Sequence, residues 1–305
     1  MKAIVIHEYG GPEVMCFEDF PDPVPGEGEL VVRVIAVSIN PIDVKRRAGA
    51  TKDFYPVLFP GVIGVDFSGE VLALGPRVQG FSIGDRVFGM ADKTYAELCV
   101  VKAASVVKIP DGLDAVGAAA LPLVTTTGNQ LISVGTGVRS GQTVLVTGAA
   151  GSVGRSAVFT AKERGAKVIA GVLKTQLEQA AKIGANQVIA TDDDSAIANL
   201  PPLDAVADTV NGKTAEKLLS KVKEGGVFAS VLGSPQNAKD HANVKVVPVY
   251  AQADPKILVH MAQAVKEGKL VIPIGMKLPL KDAAKGHAAV AKGGAGKVLL
   301  LASAG

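Results

Sequence analysis

The segment Thr143–Gly171, "TVLVTGAAGSVGRSAVFTAKERGAKVIAG", joins a short apolar strand, a glycine-rich turn, a helical stretch and a second apolar strand. This order predicts a unit of the kind that binds dinucleotides, with Ala149 in place of the first glycine of the usual pattern. Gly151 would let the backbone approach a pyrophosphate, and Gly154 would let the helix pack closely on the strand. Free N–H groups at the start of the helix would then face the phosphates. We expect contacts to a cofactor from four residues of this turn, namely Ala150, Gly151, Ser152 and Val153.

The end of the second strand bears on which dinucleotide binds. A site that prefers NAD usually carries an acidic residue there, which accepts hydrogen bonds from the ribose hydroxyls. This chain has Ala170 and Gly171 at that point, followed by Lys174. A carboxylate would repel a 2′-phosphate, so its absence permits one, and Lys174 could pair with it. The alternative is that Lys174 is a solvated loop lysine. The sequence favours NADPH over NADH, with Gly171 and Lys174 near the adenosine end.

Strand-like and helix-like segments alternate over residues 123–268, which predicts a doubly wound parallel sheet and one dinucleotide-binding domain. The connection at 192–202 is short and ends in two prolines, so a helix is doubtful there. Ligands bind at the carboxyl ends of the strands in such sheets. Four residues follow predicted strands at that edge, namely Thr209, Val231, Leu232 and Gly233.

Residues 1–122 contain short apolar runs separated by glycine and proline turns, for example "PDPVPGEGE" and "LGPRVQGFSIGD". Many short strands with such turns predict a compact, barrel-like β domain. Residues 269–305 add two further strand-like runs around a helical stretch, and we expect them to return to this first domain. The predicted fold class is therefore α/β, with a β-barrel domain and a Rossmann-type domain.

The composition is that of an ordinary globular enzyme. The chain has 305 residues, 48% hydrophobic and 20% charged, and a net charge of +3, which implies neither nucleic acid nor a membrane as partner. Glycine, proline and charged residues interrupt every apolar run, and no secretory signal is visible, so we expect a cytoplasmic protein. Two cysteines form neither a disulfide framework nor a zinc cluster.

Three motifs stand in a fixed order in the first domain: "VIAVSINPIDVKRRAG" at 34–49, "PGVIGVDFSGEV" at 60–71 and "GFSIGDRVFGM" at 80–90. Together with "ALPLVTTTGNQL", the glycine turn and "GKVLLLA" near the C-terminus, they resemble the medium-chain dehydrogenase/reductase superfamily. The most similar branch is that of the zinc-independent quinone oxidoreductases, which includes zeta-crystallin-like proteins and enone oxidoreductases. The resemblance implies a GroES-like β domain built from both ends of the chain, with the Rossmann domain inserted between them.

The zinc-dependent branch of this superfamily makes a useful contrast. It carries a catalytic cysteine where this sequence has Ser38, and a His–Glu pair where it has Val65–Asp66. A hydroxyl and an isopropyl group do not replace a thiolate and an imidazole on zinc. The four histidines show no ligand-like spacing either. We therefore predict no metal.

Without a metal the substrate has to be electrophilic already, as quinones and α,β-unsaturated carbonyl compounds are. The resemblance implies that Asn40 lies near the nicotinamide, that Asp43 supports its loop and that Lys45 could polarise the substrate carbonyl. The other explanation for Lys45 is a solvated basic run, "KRR". Thr127 matches a threonine of the family that contacts the nicotinamide end. The strand-end residues 209 and 231–233 match other family contacts to the nicotinamide half. Thr191 stands where bacterial quinone reductases often have a tyrosine on the adenosine side.

The leading hypothesis is an NADPH-dependent reductase of quinones or enones, with catalytic roles for Lys45, Asn40 and Thr127. One alternative is an enoyl-thioester reductase of the same superfamily. Another is a cofactor-binding protein with negligible turnover, since some crystallins resemble this family. By analogy with relatives that pair through the edge of the Rossmann sheet, we expect a homodimer that uses "VKVVPVY" as its edge strand.

Overall fold

The computed structural model describes residues 1–302. Its strands, in chain order, are β1 (Lys2–Ile6), β2 (Met15–Asp19), β3 (Glu29–Ile39), β4 (Gly61–Val62), β5 (Asp66–Leu74), β6 (Arg86–Met90), β7 (Leu98–Lys102), β8 (Val106–Lys108), β9 (Thr143–Thr147), β10 (Lys167–Val172), β11 (Gln187–Ala190), β12 (Leu203–Asp208), β13 (Val222–Ser230), β14 (Lys245–Pro248), β15 (Ile274–Pro279) and β16 (Lys297–Leu301).

Its α-helices are α1 (Pro41–Arg47), α2 (Ala115–Ala118), α3 (Pro122–Gln130), α4 (Ser152–Glu163), α5 (Leu177–Ala180), α6 (Asp194–Ala198), α7 (Gly212–Leu219), α8 (Pro255–Lys266) and α9 (Ala283–Lys292). A π-helical segment, Leu131–Thr136, continues α3. Short 3₁₀ turns lie at Pro12–Val14, Ala103–Ser105, Lys174–Gln176, Gln236–Asp240 and Leu280–Asp282. Among residues 1–302, none of the helices combines the length and the apolar character that crossing a bilayer requires.

The described chain folds into two compact units. Unit 1 comprises Met1–Leu123, Ala253–Gly268 and the chain from Ile272 onwards. Unit 2 comprises Val124–Gln252 together with Lys269–Val271. Helix α8, which the sequence analysis grouped with the dinucleotide-binding domain, lies in unit 1, where it packs against β8. The residues of a helix that follows a series of βα segments do not indicate by themselves which of two sheets the helix packs against.

Unit 1 contains two β-sheets. The smaller has the strand order β2–β1–β4, and the larger has the order β15–β16–β3–β5–β6–β8, with β7 also paired to β3. Strand β3, "ELVVRVIAVSI", is mostly apolar, and eight of its eleven residues are buried. Strand β16 runs antiparallel to it, with Leu299 opposite Ser38. On its other side β3 pairs with β5, where Asp66 lies opposite the same serine.

Unit 2 is built on a six-stranded sheet with the order β11–β10–β9–β12–β13–β14, and all of its strand pairs are parallel. In order of appearance this is 3-2-1-4-5-6, the arrangement of dinucleotide-binding folds. The predicted doubly wound parallel sheet is therefore confirmed. Such folds bind ligands at the carboxyl edge of the sheet, where the strand order reverses, which is here between β9 and β12.

Alternation along β9 explains how the sheet is covered on both faces. Successive side chains of a strand point to opposite faces. Val144 and Val146 pack in one buried cluster with Ala157 of α4, whereas Leu145 packs in a second cluster with Leu218 of α7. Each fully buried side chain of this kind stabilises the fold by about 2 kcal/mol.

The connection at 192–202, for which a helix was doubtful, contains α6. Asp193 caps this helix, because its carboxylate accepts hydrogen bonds from the N–H groups of Ser195 at 2.9 Å and Ala196 at 3.3 Å. An aspartate at the N-cap compensates for the short length of the helix. The prolines at 201 and 202 follow its end and do not interrupt it.

Candidate active site

The glycine turn joins β9 to α4 as the sequence indicates. A Cβ on Gly154 would collide with the carbonyl oxygen of Gly148, so this glycine is required for close packing of the helix on the strand. A Cβ on Gly151 would approach only that same oxygen, at 3.2 Å, and Gly151 is exposed. No side chain caps α4, whose first N–H groups lack partners within the helix. The turn therefore leaves space and hydrogen-bond donors for an anionic group, which fits a pyrophosphate.

A buried carboxylate ties three strand ends together beside this turn. Asp208, at the end of β12, accepts hydrogen bonds from the hydroxyls of Thr147 at 2.9 Å and Ser230 at 2.7 Å. It also accepts from the N–H groups of Val210 and Asn211. Thr209 in turn donates its hydroxyl hydrogen to the carbonyl of Thr147 at 2.8 Å. The carboxyl ends of β9, β12 and β13 are thus fixed relative to one another, which pre-organises the edge for a ligand.

The predicted cofactor-binding residues that follow β13 are hydrogen-bonded to the end of β12 and to the loop after it. The N–H of Val231 donates to the Asp208 carbonyl at 3.2 Å, and the side-chain amide of Asn211 donates to the Leu232 carbonyl at 3.0 Å. Gly233 adopts a positive φ of 91°. This conformation suits glycine and turns the chain away from the sheet. Half-buried and exposed side chains of this loop therefore line the edge.

The residues predicted to contact the adenosine half of a cofactor lie at the ends of β10 and β11. A Cβ on Gly171 would lie 2.7 Å from the Cγ2 of Thr191, so this glycine is required by packing against the neighbouring strand. The hydroxyl of Thr191 donates to the Val172 carbonyl at 3.1 Å. Lys174 has an exposed side chain, and its backbone N–H donates to Oδ1 of Asp192 at 2.8 Å. A carboxylate therefore does stand at this end of the sheet, but it comes from the strand next to the expected one.

Thr127, the remaining candidate of unit 2, lies on α3 and is 9% exposed. Asn40 and Lys45, the candidates of unit 1, lie on or just before α1.

Helix α1 presents one of its three consecutive basic residues to solvent. Arg46 is buried, forms an ion pair with Asp92 and lies over the ring of Tyr55. Arg47 is buried as well, and its guanidinium donates to the Gly10 carbonyl at 3.1 Å. Lys45 is exposed, and its ammonium has no hydrogen bond or ion pair among the described residues. The segment is not a uniformly solvated basic run, and Lys45 is its solvent-exposed member.

A buried polar cluster lies beside the start of α1. Asp66 accepts hydrogen bonds at Oδ2 from the Ser38 hydroxyl at 2.6 Å and from the Asn40 amide at 2.9 Å, and at Oδ1 from the N–H of Leu123 at 2.9 Å. The ammonium of Lys297 donates to Oδ1 of Asn40 at 2.8 Å and lies 3.6 Å from Oδ2 of Asp66. The charges of Lys297 and Asp66 therefore neutralise each other inside the unit. Ser38 and Asn40 supply hydrogen bonds to the same cluster.

This cluster includes two of the positions at which the zinc-dependent branch carries metal ligands. The Ser38 hydroxyl donates to Asp66, whose carboxylate oxygens also accept from Asn40 and Leu123, so hydrogen bonds within the protein occupy this carboxylate. A lysine ammonium beside them would repel a divalent cation. Residues 1–302 contain no group of three or more histidine, cysteine, aspartate or glutamate side chains placed to hold a metal ion.

Two further buried titratable groups lie close to α1. Asp43 is fully buried and accepts a hydrogen bond from the N–H of Asn40 at 2.8 Å. Burial raises the pKa of Asp43 to about 7, although the Asn40 hydrogen bond opposes the rise. Burial beside Arg47 lowers the pKa of His287 to about 3, so this imidazole stays neutral. Its Nδ1 accepts from the Arg47 guanidinium at 3.4 Å, which leaves the Nε2 proton for the Tyr95 hydroxyl at 3.3 Å.

Two family models match the chain. The alcohol dehydrogenase GroES-like domain matches residues 26–111, and the zinc-binding dehydrogenase model matches residues 183–300. The first confirms that the β domain of unit 1 is GroES-like.

Relatives in sequence and in structure support the same assignment. The quinone oxidoreductase of Lama guanicoe is 30% identical over 99% of this chain and 97% of its own length. The acryloyl-coenzyme A reductase of Sulfurisphaera tokodaii is 29% identical over 76% of each chain. The structure of Escherichia coli quinone oxidoreductase complexed with NADPH superimposes with a TM-score of 0.87 at 26% identity, over 99% of this chain and all of the other.

The structure brings the predicted cofactor residues of unit 2 that follow strand ends to one edge of the sheet: Ala150, Gly151, Ser152, Val153, Gly171, Lys174, Thr191, Thr209, Val231, Leu232 and Gly233. Sequence reasoning missed Lys297, Asp192 and Asp208. Asp192 opens a run of three aspartates after an apolar strand, a signal that was there to be used. A lysine at the start of the apolar "KVLLL" gave no such signal, because exposed lysines begin many strands.

Proposed function

The chain belongs to the medium-chain dehydrogenase/reductase superfamily, and from that premise we propose that it is a metal-independent oxidoreductase that uses NADPH to reduce quinones or α,β-unsaturated carbonyl compounds. The observation that carries the proposal is the uncapped α4 N-terminus behind Gly151, at the switch point of a 3-2-1-4-5-6 sheet. This arrangement has the donors and the space that a dinucleotide needs. The NADPH named with the Escherichia coli structure supports the choice of cofactor.

When bound, NADPH would supply a hydride to the electrophilic carbon of the substrate. The residues of the turn (Ala150, Gly151, Ser152 and Val153) would hold the pyrophosphate through backbone N–H groups. Thr209 and residues 231–233 would line the nicotinamide half, since they follow the central strands β12 and β13. Gly171, Lys174 and Thr191 would line the adenosine half. Thr127 keeps its proposed role at the nicotinamide end.

Lys45 is proposed as the electrophilic residue. Its ammonium is solvent-accessible, and the two arginines that follow it anchor α1 in the interior. A cation directed at the substrate carbonyl would stabilise the negative charge that develops on oxygen as the hydride arrives. This contribution grows towards the transition state, so it would raise turnover more than affinity. Asn40 would hold the start of the helix beside the nicotinamide.

A second candidate substrate class is the coenzyme A thioester of an unsaturated acid. The observation that favours it is the acryloyl-coenzyme A reductase among the relatives. The chemistry is the same hydride addition, with a thioester carbonyl in place of a ketone or quinone oxygen. The two candidates therefore share Lys45 and differ in how the rest of the substrate is held.

We also propose a homodimer that forms through β14. Within the described part of the chain this strand pairs with β13 alone, so one of its edges remains open. An open edge offers backbone N–H and C=O groups to a second strand. Sedimentation analysis would reveal a dimer, and a monomer at all concentrations would refute this arrangement.

The test of the proposed activity is a set of NADPH oxidation assays followed by absorbance. A small quinone, a small enone and an unsaturated acyl-coenzyme A would be compared at equal concentrations, with and without enzyme. We expect turnover with the quinone and the enone. Turnover with the thioester alone would favour the second candidate, and tight NADPH binding without turnover of any of them would leave a cofactor-binding protein.

A further inference from the structure

Lys297 is a buried lysine whose ammonium is surrounded by three polar groups of the protein. Its side chain is 5% exposed, and its ammonium contacts Oδ1 of Asn40 at 2.8 Å and the Ile39 carbonyl at 3.5 Å, with Asp66 at 3.6 Å. Burial lowers the pKa of Lys297, and the nearby carboxylates oppose the change. An ammonium is costly to bury unless several groups compensate for its lost hydration. The fold therefore places a cation here at a cost.

The contacts of Lys297 allow one orientation of the Asn40 amide. An ammonium only donates hydrogen bonds, and an ionised carboxylate only accepts them. Oδ1 of Asn40 faces the ammonium, and Nδ2 faces the Asp66 carboxylate at 2.9 Å. A flipped amide would direct its NH₂ group at the ammonium and its oxygen at the carboxylate. Lys297 and Asp66 thus fix both ends of the amide.

The same interaction anchors the first residue before α1. An asparagine in that position would ordinarily cap the helix with its own side chain. Here the side-chain amide is hydrogen-bonded to Lys297 and Asp66 in the buried cluster, and the Asp43 carboxylate accepts a hydrogen bond from the Asn40 N–H at 2.8 Å. Lys45 follows five residues later on the same helix. The placement of its ammonium consequently depends on where Asn40 is held.

We propose that Lys297 is a positioning residue that acts through Asn40, and that it sets the position of α1 and of the Lys45 ammonium on it. The role in turnover rests on the proposed reductase function, whereas the anchoring of α1 does not. Strand β16 brings the lysine into place, because Val298 pairs with Ile39, the residue before Asn40. A contribution limited to neutralising Asp66 is the competing explanation.

A charge-compensated variant separates these two explanations. Lys297→Met alone leaves Asp66 buried without its cation and could impair folding. Lys297→Met combined with Asp66→Asn removes both charges, so a purely neutralising lysine would become dispensable. Because Asp66 holds the other end of the Asn40 amide, Asp66→Asn alone is the reference for the double variant. Lys297→Arg keeps a cation with hydrogen-bond donors. Lys277→Met, on the exposed side of the neighbouring β15, is the matched control.

The first readout is independent of activity. Hydrogen exchange of the backbone amides of residues 42–47 would be measured without cofactor in the parent and in each variant. We expect at least a tenfold faster exchange in Lys297→Met/Asp66→Asn than in Asp66→Asn and in the parent, with parental rates in Lys277→Met and rates closer to the parent in Lys297→Arg. Parental exchange in the double variant would overturn the proposal, whether or not the protein turns over any substrate.

The second readout is a comparison of kcat and KM for the enone. We expect kcat to fall about tenfold or more in the double variant, with the dissociation constant of NADPH changed less than twofold. On an Asn40→Ala background the Lys297 substitution should change kcat less than twofold, because its effect passes through Asn40. Full kcat in the double variant would refute the positioning role. A parent without turnover would refute the proposed function instead, and the exchange measurement would still decide about Lys297.

Discussion

Oδ1 of Asp192 accepts a hydrogen bond of 2.8 Å from the backbone N–H of Lys174, so an acid and a base stand together at the ends of β11 and β10. The lysine would attract a 2′-phosphate, and the carboxylate would repel one or bind a free ribose hydroxyl. We therefore expect the choice of dinucleotide to depend on the balance between the Lys174 and Asp192 charges.

We predict that the parent binds NADPH at least tenfold more tightly than NADH, a difference of about 1.4 kcal/mol. Lys174→Ala should weaken NADPH binding and leave NADH binding unchanged. Asp192→Asn should tighten NADPH binding, because a like charge near the phosphate is removed. Fluorescence titrations of both cofactors measure this. If Asp192→Asn mainly weakens NADH binding, the carboxylate is a ribose ligand. Equal or tighter binding of NADH by the parent would contradict the predicted preference.

The polar cluster around Lys297 leads to a prediction about metals. Activity should survive prolonged dialysis against a strong chelator, since an ammonium stands beside the Ser38–Asp66 pair. Elemental analysis of the purified protein should give less than one zinc per chain. A zinc-dependent alcohol dehydrogenase treated in parallel provides the positive control. Inactivation that added zinc reverses would contradict this expectation.

Lys45→Ala should lower kcat for an enone by about 10²–10³-fold, the usual cost of removing one donor to a developing oxyanion. NADPH binding should stay within about twofold of the parent, and a quinone, which is the better electrophile, should lose less. Lys52→Ala is the matched control, because Lys52 is also exposed and lies just after the same helix. Steady-state kinetics on both substrates check the prediction. Parental enone turnover in Lys45→Ala would show that this lysine is a solvated surface residue without a catalytic role.

Asp43 and His287 should give opposite slopes in a plot of stability against pH. The pKa of Asp43 is raised to about 7 from 3.8, so the folded state holds a proton that the unfolded chain releases. Its contribution is full below about pH 4 and is lost as the pH rises through about 7. The pKa of His287 is lowered to about 3 from 6.5, so its contribution is full above about 6.5 and is lost as the pH falls.

The two effects oppose each other between pH 4 and 6.5. Removing either group should therefore leave the pH dependence of the unfolding free energy that the other group causes, up to about 1.4 kcal/mol per pH unit. Asp43→Asn, which can still accept the Asn40 N–H, should make the unfolding free energy rise with pH more steeply than in the parent. His287→Gln should make it fall with pH. Chemical denaturation across this range measures both slopes, with Asp53→Asn on an exposed turn as control. Superimposable pH profiles for all four proteins would show that neither group titrates between the folded and unfolded states.

The sequence predicted those features that depend on residues close together along the chain. The glycine turn could be recognised because the strand, the turn and the helix follow one another within Thr143–Glu163. The superfamily resemblance was confirmed by relatives that span the whole chain. Alternating βα segments likewise gave the parallel sheet, whereas α6, a helix that the sequence left doubtful, forms with Asp193 as its cap.

Long-range contacts escaped prediction for a physical reason. Lys297 and Asn40 are 257 residues apart, and their hydrogen bond exists only because β16 pairs with β3. A lysine at the start of an apolar strand does not reveal whether its side chain will be buried. The Gly171–Thr191 packing is similar, since it depends on which strands become neighbours.

The pairing of β16 with β3 also has a consequence for the order in which the protein forms during synthesis. Unit 2 is nearly continuous in sequence, and its sheet strands lie between residues 143 and 248, so the ribosome releases them together. Residues 36–39 of β3, by contrast, lack a partner on one side until residues 298–301 emerge. An apolar strand with an open edge can pair with other chains while it waits. We therefore expect nascent chains that stall before residue 297 to depend on chaperones, although their dinucleotide-binding unit is already folded.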